Sequence, residues 1–299
     1  MYMQGKGQAF IMYKIETIPG AITQYKIQGE EGNYFKIAPE RGGIVTEFCA
    51  QGKSVLWMDW DTFYDTSRYV WGGIPVLFPN CGALKDDTVV FGGTSYQLPL
   101  HGFARNLPWQ VVDTVATEGS ASITLQLQSS EITLAQYPFA FTLGCTYQLE
   151  GSKLNIYISC QNRSSEPMPV QLGFHTYFEV NGKGEALHYE TPCTRYLDLA
   201  DNLEKDFASL PPLTNDQTGK FLLDARGSIA FTDSERGLKT SIQCQKEFPL
   251  LLLWAGDGEK FCIEPWTGPL GAQNTKEGLV YITTGETWQT GFSIIGQAV

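Results

Sequence analysis

The sequence is short of positive charge and of histidine. Its 299 residues include 21 lysines and arginines against 32 aspartates and glutamates, which gives a formal net charge of −11, and only three histidines. Proteins that bind nucleic acid present a basic face that neutralises phosphates. A nucleic-acid partner is therefore excluded from the expected functions, and strongly anionic ligands are disfavoured unless local arginines compensate.

Long apolar runs and closely paired cysteines are absent as well. No apolar stretch reaches the roughly 18 residues that a membrane-spanning helix needs, and the N-terminal "MYMQGKGQAFIMYKIE" lacks the apolar segment of a signal peptide. The seven cysteines contain no CxxC pair and no regular spacing, which argues against a zinc site and a disulfide framework. We expect a cytoplasmic protein without membrane contact, with reduced, mostly buried thiols and no metal.

Strand-forming and turn-forming residues are plentiful. Aromatic residues make up 13% of the chain, beside 31 glycines and 15 prolines. In "FTLGCTYQLE", residues 141–150, apolar and polar side chains alternate as in a half-buried strand. "ASITLQLQ" and "KLNIYISCQN" repeat this pattern on either side, so residues 121–162 are predicted to form an antiparallel meander with a turn at "EGS". "ETWQTGFSII" near the C-terminus alternates again.

Helical periodicity is weak throughout. The best helix candidates are short, at residues 61–68 and 199–208, and no segment has the composition of an interdomain linker. The sequence therefore predicts an all-β fold, a large antiparallel β-sandwich in which residues 1–299 form a single domain.

Two ionisable residues lie in strongly apolar or aromatic surroundings. His175, in "VQLGFHTYFEV", and Glu264, in "KFCIEPWTGPLG", are flanked by aromatic side chains. Charge in such surroundings needs a partner or a function. The simpler alternatives are a satisfied core histidine and a glutamate at the end of a surface strand. Pro265 restricts Glu264 to extended geometry and so fixes where its side chain points.

A third candidate segment is "LPLHGFARNLPW". His101 precedes Gly102, which lets the backbone turn sharply, and Arg105 follows four positions after the histidine. The alternative is that Arg105 pairs with an acid while His101 caps a loop. His188, in the polar "GKGEALHYE", is predicted to be an ordinary surface histidine.

Two histidines and one carboxylate suit acid/base chemistry on a neutral polyol, because a free imidazole has a pKa of about 6.5 and a free glutamate about 4.3. Such chemistry needs no metal. Aromatic side chains are available to pack against the apolar face of a sugar, namely Trp71, Phe174, Tyr177 and Trp266.

Four motifs, in this order, resemble those of the aldose 1-epimerase (galactose mutarotase) family and its relatives that act on hexose 6-phosphates. They are "GGIPVLFPNCG" at 72–82, "LHGFAR" at 100–105, "GFHTYF" at 173–178 and "IEPWTG" at 263–268. The resemblance implies a β-supersandwich whose concave face holds the sugar. It also implies interconversion of the α and β anomers of an aldose without a cofactor.

The resemblance also implies roles for individual residues. His175 matches the general acid that protonates the ring oxygen, Glu264 matches the general base that takes the proton from the C1 hydroxyl, and His101 matches a second histidine near the ring oxygen. The remaining candidates are expected to bind substrate: Asn80, Arg105, Trp71, Phe174, Tyr177 and Trp266. Whether His101 transfers a proton or only orients the sugar is left open.

One departure from the family pattern bears on the substrate. The branch that uses hexose 6-phosphates carries an arginine directly before the paired glycines, where this chain has Trp71. Arg68 and Lys85 are close in sequence and could substitute. We expect an unphosphorylated hexose, with glucose 6-phosphate as the alternative.

Two other functions remain as alternatives. A non-catalytic carbohydrate-binding protein needs the aromatic residues but not the acid and base. A glycosidase needs two carboxylates, but only Glu264 has a strong local case, and Asp257 upstream of it lies in a segment that is predicted to be a turn. The sequence leaves open whether the chain is a monomer or a homodimer.

Overall fold

A computed structural model of the chain describes residues 13–181, 187–210, 218–256 and 260–299. The strands in chain order are β1 (Lys14–Ile18), β2 (Gln24–Gln28), β3 (Tyr34–Ala38), β4 (Ile44–Ala50), β5 (Lys53–Ser54), β6 (Val76–Leu77), β7 (Thr88–Phe91), β8 (Thr94–Gln97), β9 (Gln110–Ala116), β10 (Ala121–Gln128), β11 (Phe141–Glu150), β12 (Lys153–Asn162), β13 (Met168–Val170), β14 (Gly173–Phe174), β15 (Thr176–Phe178), β16 (Leu187–Glu190), β17 (Arg195–Asp198), β18 (Leu203–Asp206), β19 (Lys220–Leu222), β20 (Ser228–Asp233), β21 (Leu238–Cys244), β22 (Leu250–Ala255), β23 (Phe261–Trp266), β24 (Val280–Ile282) and β25 (Thr287–Ala298).

Helices form a small part of the described residues. The α-helices are α1 (Trp60–Tyr64), α2 (Glu131–Leu134) and α3 (Ala272–Thr275), and 3₁₀ turns occur at Lys85–Asp87, Ala104–Asn106 and Phe207–Ser209. The prediction of an all-β fold is confirmed.

One eight-stranded antiparallel sheet contains the predicted meander. Its order is β16-β20-β21-β25-β12-β11-β10-β9. Strand β11 pairs with β10 on one side and with β12 on the other, and the strands alternate between buried and more exposed side chains. The meander predicted for residues 121–162 and the strand predicted near the C-terminus are therefore confirmed.

A second eight-stranded sheet carries the candidate residues. Its order is β18-β17-β19-β22-β23-β14-β6, and β15 also pairs with β23. Smaller sheets are formed by β1 to β5, by β13 with β24, and by β7 with β8.

The two faces of this second sheet have different roles. Leu253 and Ile263 belong to the same hydrophobic core as Leu143 and Ile156 of the first sheet, so the two large sheets share that core. The opposite face holds a separate, smaller apolar cluster, formed by Leu77, Cys81, Phe221, Leu252 and Trp266. The candidate residues of β23 lie on this second face.

The helix predictions had different outcomes. Helix α1 occupies the first half of residues 61–68, with Asp59 as its N-cap through bonds from the backbone of Asp61 and Thr62. The prediction for residues 199–208 is wrong, because β18 pairs with β17 there and a 3₁₀ turn follows. Asn202, at a φ of 59°, closes the tight turn between the two strands.

All seven cysteines are unpaired, and six are buried. No helix among the described residues has the length and apolarity required to cross a membrane.

Candidate active site

Strand β23 presents the carboxyl group of Glu264. In "FCIEPW" the side chains of Phe261 and Ile263 enter the main core, whereas Trp266 belongs to the cluster on the opposite face. Glu264 points the same way as Trp266 because alternate residues of a strand share a face. Its neighbour on β22 is Leu252, so the carboxyl group lies in a largely apolar environment, 1% exposed.

His175 reaches the same face from the junction of β14 and β15. Its backbone N–H donates to the carbonyl of Pro75. Its side-chain Nε2 lies 3.3 Å from Oε1 of Glu264. Its other ring nitrogen, Nδ1, is buried without a hydrogen-bond partner in the described part of the chain. The structure therefore brings together the two residues predicted to exchange protons.

Phe174 points in the opposite direction from His175. It is fully buried in the main core, with its ring centroid 4.8 Å from that of Phe292 and 6.4 Å from that of Phe248. The prediction that Phe174 contacts substrate is therefore wrong. The physical reason is strand alternation, which sends adjacent side chains to opposite faces of the sheet.

Burial changes the protonation of both groups. It raises the pKa of Glu264 well above its ordinary value, although the hydrogen bond from Trp266 and the charge of Arg105 act in the opposite direction. Burial, and after it the positive charge of Arg105, lowers the pKa of His175 to about 3. Burial thus disfavours the charged form of each group, and the two lie in direct contact.

His101 stands beside this pair in a left-handed turn. Its φ is 64°, followed by 69° at Gly102, where an added Cβ would lie 2.2 Å from the carbonyl oxygen of Phe78. The backbone N–H of Gly82 donates to Nδ1 of His101 over 3.0 Å. Nδ1 is therefore an acceptor, and the ring proton is on Nε2. Burial, with the nearby His175 and Arg105, lowers the pKa of His101 well below its usual value, so the ring is a neutral donor.

Arg105 supplies positive charge to the site. Its guanidinium stacks on the ring of Tyr69 at 4.3 Å, and Nη2 donates to the carbonyl of Leu100. Its Nε is buried and has no hydrogen-bond partner among the described residues. The guanidinium is near enough to lower the pKa values of both His175 and His101.

Aromatic rings line both sides of the pair. On one side, Tyr177 stacks on His175 with a centroid distance of 4.5 Å. The ring of Trp254 lies 5.9 Å from that of His175, and the ring of Trp71 lies 6.2 Å from that of Trp254. On the other side, Trp266 donates its indole N–H to Oε2 of Glu264 over 3.1 Å. Such rings can pack against a sugar.

Trp254 was missed in the sequence. It ends the run "LLLLW", which has the composition of a buried core strand. Its pairing with Cys262 places it on the face of Glu264, since directly paired residues share a face. The alternation of side chains in β22 identifies Trp254 as a residue on the face of Glu264 only when the pairing register of β22 with β23 is known.

Asn80 lies beneath the turn that holds His101. It is fully buried, and its Nδ2 donates to the carbonyl of Gly82 over 2.7 Å. Its Oδ1 is buried without a partner in the described residues. Substrate binding by Asn80 stays a prediction, whereas its support of the turn is a direct contact.

The other predicted residues lie away from the pair or outside the description. His188 is exposed on the edge strand β16, as expected for a surface histidine. Asp257 lies outside the described residues. Within the ranges that the structure describes, no group of three or more metal-ligating side chains occurs.

A neighbouring cavity of about 480 Å³ opens beside Trp71. Its lining comprises Arg41, Thr66, Ser67, Arg68, Tyr69, Trp71 and Asn106. Arg41 donates to four backbone carbonyls between residues 62 and 68 through its Nε and Nη2, so it holds the loop. Lys85 lies elsewhere, in a 3₁₀ turn whose backbone bonds Asn274.

The family model for aldose 1-epimerase matches residues 24–294. The chain belongs to this family. The resemblance seen in the four sequence motifs is thereby confirmed.

Individual relatives of this aldose 1-epimerase family member are distant in sequence. A Salmonella typhimurium protein named "Putative glucose-6-phosphate 1-epimerase" is 31% identical over 129 residues, which span 43% of this chain and 39% of that protein's length. The crystal structure of the Slr1438 protein from Synechocystis sp. PCC 6803 is 31% identical, with a TM-score of 0.86 over 100% of both chains. The galactose 1-epimerase of Lactobacillus acidophilus NCFM shares the fold at 13% identity, with a TM-score of 0.76 over 96% of this chain and 98% of that one.

Proposed function

We propose that the protein is an aldose 1-epimerase that interconverts the α and β anomers of a hexose, with His175 as general acid and Glu264 as general base. The observation that carries the proposal is the 3.3 Å contact between Nε2 of His175 and Oε1 of Glu264 on one sheet face, between aromatic walls. Family membership supports the reaction class.

The pair can deliver both proton transfers without a change in its total number of protons. A neutral His175 with a protonated Glu264 contains as many protons as an imidazolium with a carboxylate. Moving one proton from Glu264 to His175 therefore turns Glu264 into a base and His175 into an acid. Hydrogen bonds from sugar hydroxyls to the carboxylate favour that move. Glu264 then removes the proton from the C1 hydroxyl while His175 protonates the ring oxygen, the bond from C1 to the ring oxygen breaks, and C1 becomes the carbonyl carbon of the open aldose.

Ring closure reverses these steps. After rotation about the C1–C2 bond, the hydroxyl that came from the ring oxygen attacks the other face of C1. His175 takes the proton back and Glu264 returns one to the oxygen on C1. His101, whose Nε2–H is a fixed donor, orients the sugar, and Arg105 binds its hydroxyls. Trp71, Tyr177 and Trp266 pack against the apolar faces of the ring.

For the substrate we propose an unphosphorylated hexose. Nε and Nη2 of Arg41 are engaged by backbone carbonyls, Trp71 stands where the hexose-6-phosphate branch of the family carries an arginine, and the net charge of −11 opposes an anionic ligand. The second candidate is hexose 6-phosphate, because Arg68 lines the 480 Å³ cavity beside Trp71. The name of the Salmonella relative points the same way.

We further propose that the chain is one domain in a reducing compartment such as the cytoplasm. The match across residues 24–294 supports the first statement, and seven unpaired cysteines support the second.

The test is polarimetry of anomer exchange on glucose, galactose and glucose 6-phosphate, side by side. Glu264→Gln and His175→Asn should each reduce kcat/KM by about 100-fold or more, the usual contribution of a positioned acid or base. Glu47→Gln is the control, since Glu47 pairs with Lys36 at a half-buried site on another sheet.

Three outcomes contradict the proposal. Near-wild-type rates in either folded variant would remove that residue from the mechanism. Sugar binding without accelerated exchange would favour a carbohydrate-binding protein, and release of reducing sugar from model glycosides would favour a glycosidase.

A further inference from the structure

We propose that Gln171 is a positioning residue that fixes the orientation and tautomer of His101 and ties His101 to the strand that carries Glu264. Its consequence for catalysis rests on the proposed function. Gln171 itself is fully buried, behind the sheet face of the site, and acts through the backbone.

Every hydrogen-bonding group of the Gln171 amide is used. Its Oε1 accepts the backbone N–H of Cys81 over 3.1 Å. Its Nε2 donates to the carbonyls of Gly268 and Pro269, over 3.0 and 2.7 Å. The amide therefore links the turn at residues 80–82 to the turn that follows β23.

The first of these turns holds His101 at two points. The N–H of Gly82, adjacent to the peptide that Gln171 bonds, donates to Nδ1 of His101 over 3.0 Å. The carbonyl of Gly82 accepts the backbone N–H of His101, also over 3.0 Å. Because Gly82 adopts a φ of 77°, where glycine has much conformational freedom, the turn needs an external restraint to keep its N–H aimed at the ring. Asn80 restrains the carbonyl of Gly82, and Gln171 restrains the adjacent peptide through the N–H of Cys81.

The second turn is continuous with the catalytic strand. Strand β23 ends at Trp266, and the next residue, Thr267, exchanges two hydrogen bonds with Leu172, the neighbour of Gln171. Gln171 thus sets the distance between the donor of His101 and the carboxyl of Glu264, although it contacts neither.

The position requires one side-chain acceptor and at least one side-chain donor. An ionised carboxylate would face the carbonyl oxygens of Gly268 and Pro269 and would repel them, whereas a methionine would leave the carbonyl of Gly268 and the N–H of Cys81 unpaired. A protonated carboxylic acid keeps the acceptor for Cys81 and one donor, so Gln171→Glu is the conservative variant.

Gln273 provides a matched control. It is also fully buried, and its Nε2 donates to the carbonyls of Pro79 and Pro169, over 2.8 and 3.1 Å. It joins α3 to stretches that lie next to Cys81 and Gln171 in the sequence, but it does not bond the peptides of Cys81 or Gly82. Gln273→Met therefore removes two hydrogen bonds without releasing the turn that holds His101.

The direct experiment is long-range ¹H–¹⁵N NMR of the full chain labelled with ¹⁵N-histidine, without substrate. Three imidazoles give three resolved spin systems, and exposed His188 is the internal reference. Wild type and Q273M should show His101 with its proton on Nε2 alone. Q171M should show a mixture of the two tautomers, and Q171E at pH 6 should restore the wild-type pattern.

The kinetic arm separates positioning from stability. Q171M should raise KM for hexose by about 10-fold with a smaller change in kcat, whereas Q273M should keep the wild-type KM even where its Tm falls equally. An unchanged His101 tautomer in Q171M, or equal KM changes in the two Met variants, would overturn the proposal. If Q171M does not fold, Q171E decides the question: ionisation of the new carboxylate on raising the pH should change the His101 tautomer in Q171E but not in the wild type, where Glu264 experiences the same change of pH. A catalytically inactive wild type would contradict the proposed function and leave the NMR result intact.

Discussion

The buried position of the Glu264 carboxyl group lowers the free energy of unfolding of the protein near neutral pH. An unfolded chain ionises glutamate above a pH of about 4.3, but the folded chain keeps Glu264 protonated to a much higher pH. The unfolded state therefore binds fewer protons above pH 4.3, and the free energy of unfolding falls as the pH rises toward the folded pKa. Each unit of pKa difference corresponds to about 1.4 kcal/mol.

Glu264→Gln should therefore stabilise the protein at pH 7.5 while it removes activity. The glutamine oxygen can still accept the indole N–H of Trp266. We expect a gain of at least about 1 kcal/mol, or about 2 °C in Tm, at pH 7.5 and no gain at pH 4.5. Thermal unfolding followed by circular dichroism measures it. Glu47→Gln should show no such gain, and equal Tm values for wild type and E264Q at pH 7.5 would contradict the pKa direction.

Which residues the sequence could identify depended on their chemistry. His175 and Glu264 were recognisable because an ionisable group between aromatic residues is unusual at any register. Phe174 and Trp254 are apolar, and an apolar residue in a strand is equally compatible with the core and with a ligand wall. Their assignment needed the actual sheet face, which only the pairing of β14, β22 and β23 provides.

At the scale of an element, the turn that contains His101 and Gly102 depends on close contact with β6 and the residue after it. The Cβ of Gly102→Ala would lie 2.2 Å from the carbonyl oxygen of Phe78, at a φ of 69°. Gly92 in the β7–β8 hairpin has a φ of 55° and nothing within 4 Å of its added Cβ. An alanine at either position would adopt an unfavourable positive φ, but only the alanine at position 102 would also clash with neighbouring atoms.

We expect Gly92→Ala to cost about 1 kcal/mol and to leave kcat/KM unchanged. Gly102→Ala should be more destabilising and should lower kcat/KM by about 10-fold or more, because the displaced turn moves His101. Urea unfolding and polarimetry of the two variants test the difference. Equal costs and full activity in both would show that the turn does not position the ring.

Element predictions succeeded where local signals were sufficient. The meander β10-β11-β12 follows from alternation and a short glycine turn, both of which are local. Residues 199–208 read as a weak helix because "LADNLEKDF" is polar and without alternation. Pairing of β18 with β17 determines its structure instead, and that pairing is a tertiary interaction.

At the scale of the whole molecule, the net charge of −11 affects the choice of substrate. Charges separated by more than about 10 Å are screened at 0.1 M salt, so long-range repulsion of an anion weakens as salt is added. For an uncharged hexose, kcat/KM should be independent of NaCl between about 20 and 500 mM. For glucose 6-phosphate it should rise over the same range.

Stopped-flow or polarimetric rates at several salt concentrations provide the measurement. A fall of kcat/KM for the phosphate ester with salt would mean that local cations dominate, and Arg68→Gln should then abolish the salt effect. That result would favour the 6-phosphate as substrate over the free hexose.

Only the family resemblance of the four motifs predicts that His101, His175 and Glu264 lie at one site. Periodicity predicts strands, but nothing local in the sequence states that Gly173 pairs with both Trp266 and Leu77. These contacts join segments that are nearly a hundred residues apart. The family resemblance supplied that information, and elementary pattern reasoning alone would have stopped at a strand-rich fold.

Strand β23 uses its two faces for separate purposes, and this division affects how the protein can evolve. Ile263 lies in the main core, whereas Leu252, which pairs with Glu264, and Trp254, which lies beside His175, are on the opposite face of the sheet. Substitutions at these two positions should reshape the space beside Glu264 with little effect on the main core. A library restricted to them is a natural starting point for redesigning the sugar preference, since new specificities can be sampled before the fold becomes unstable.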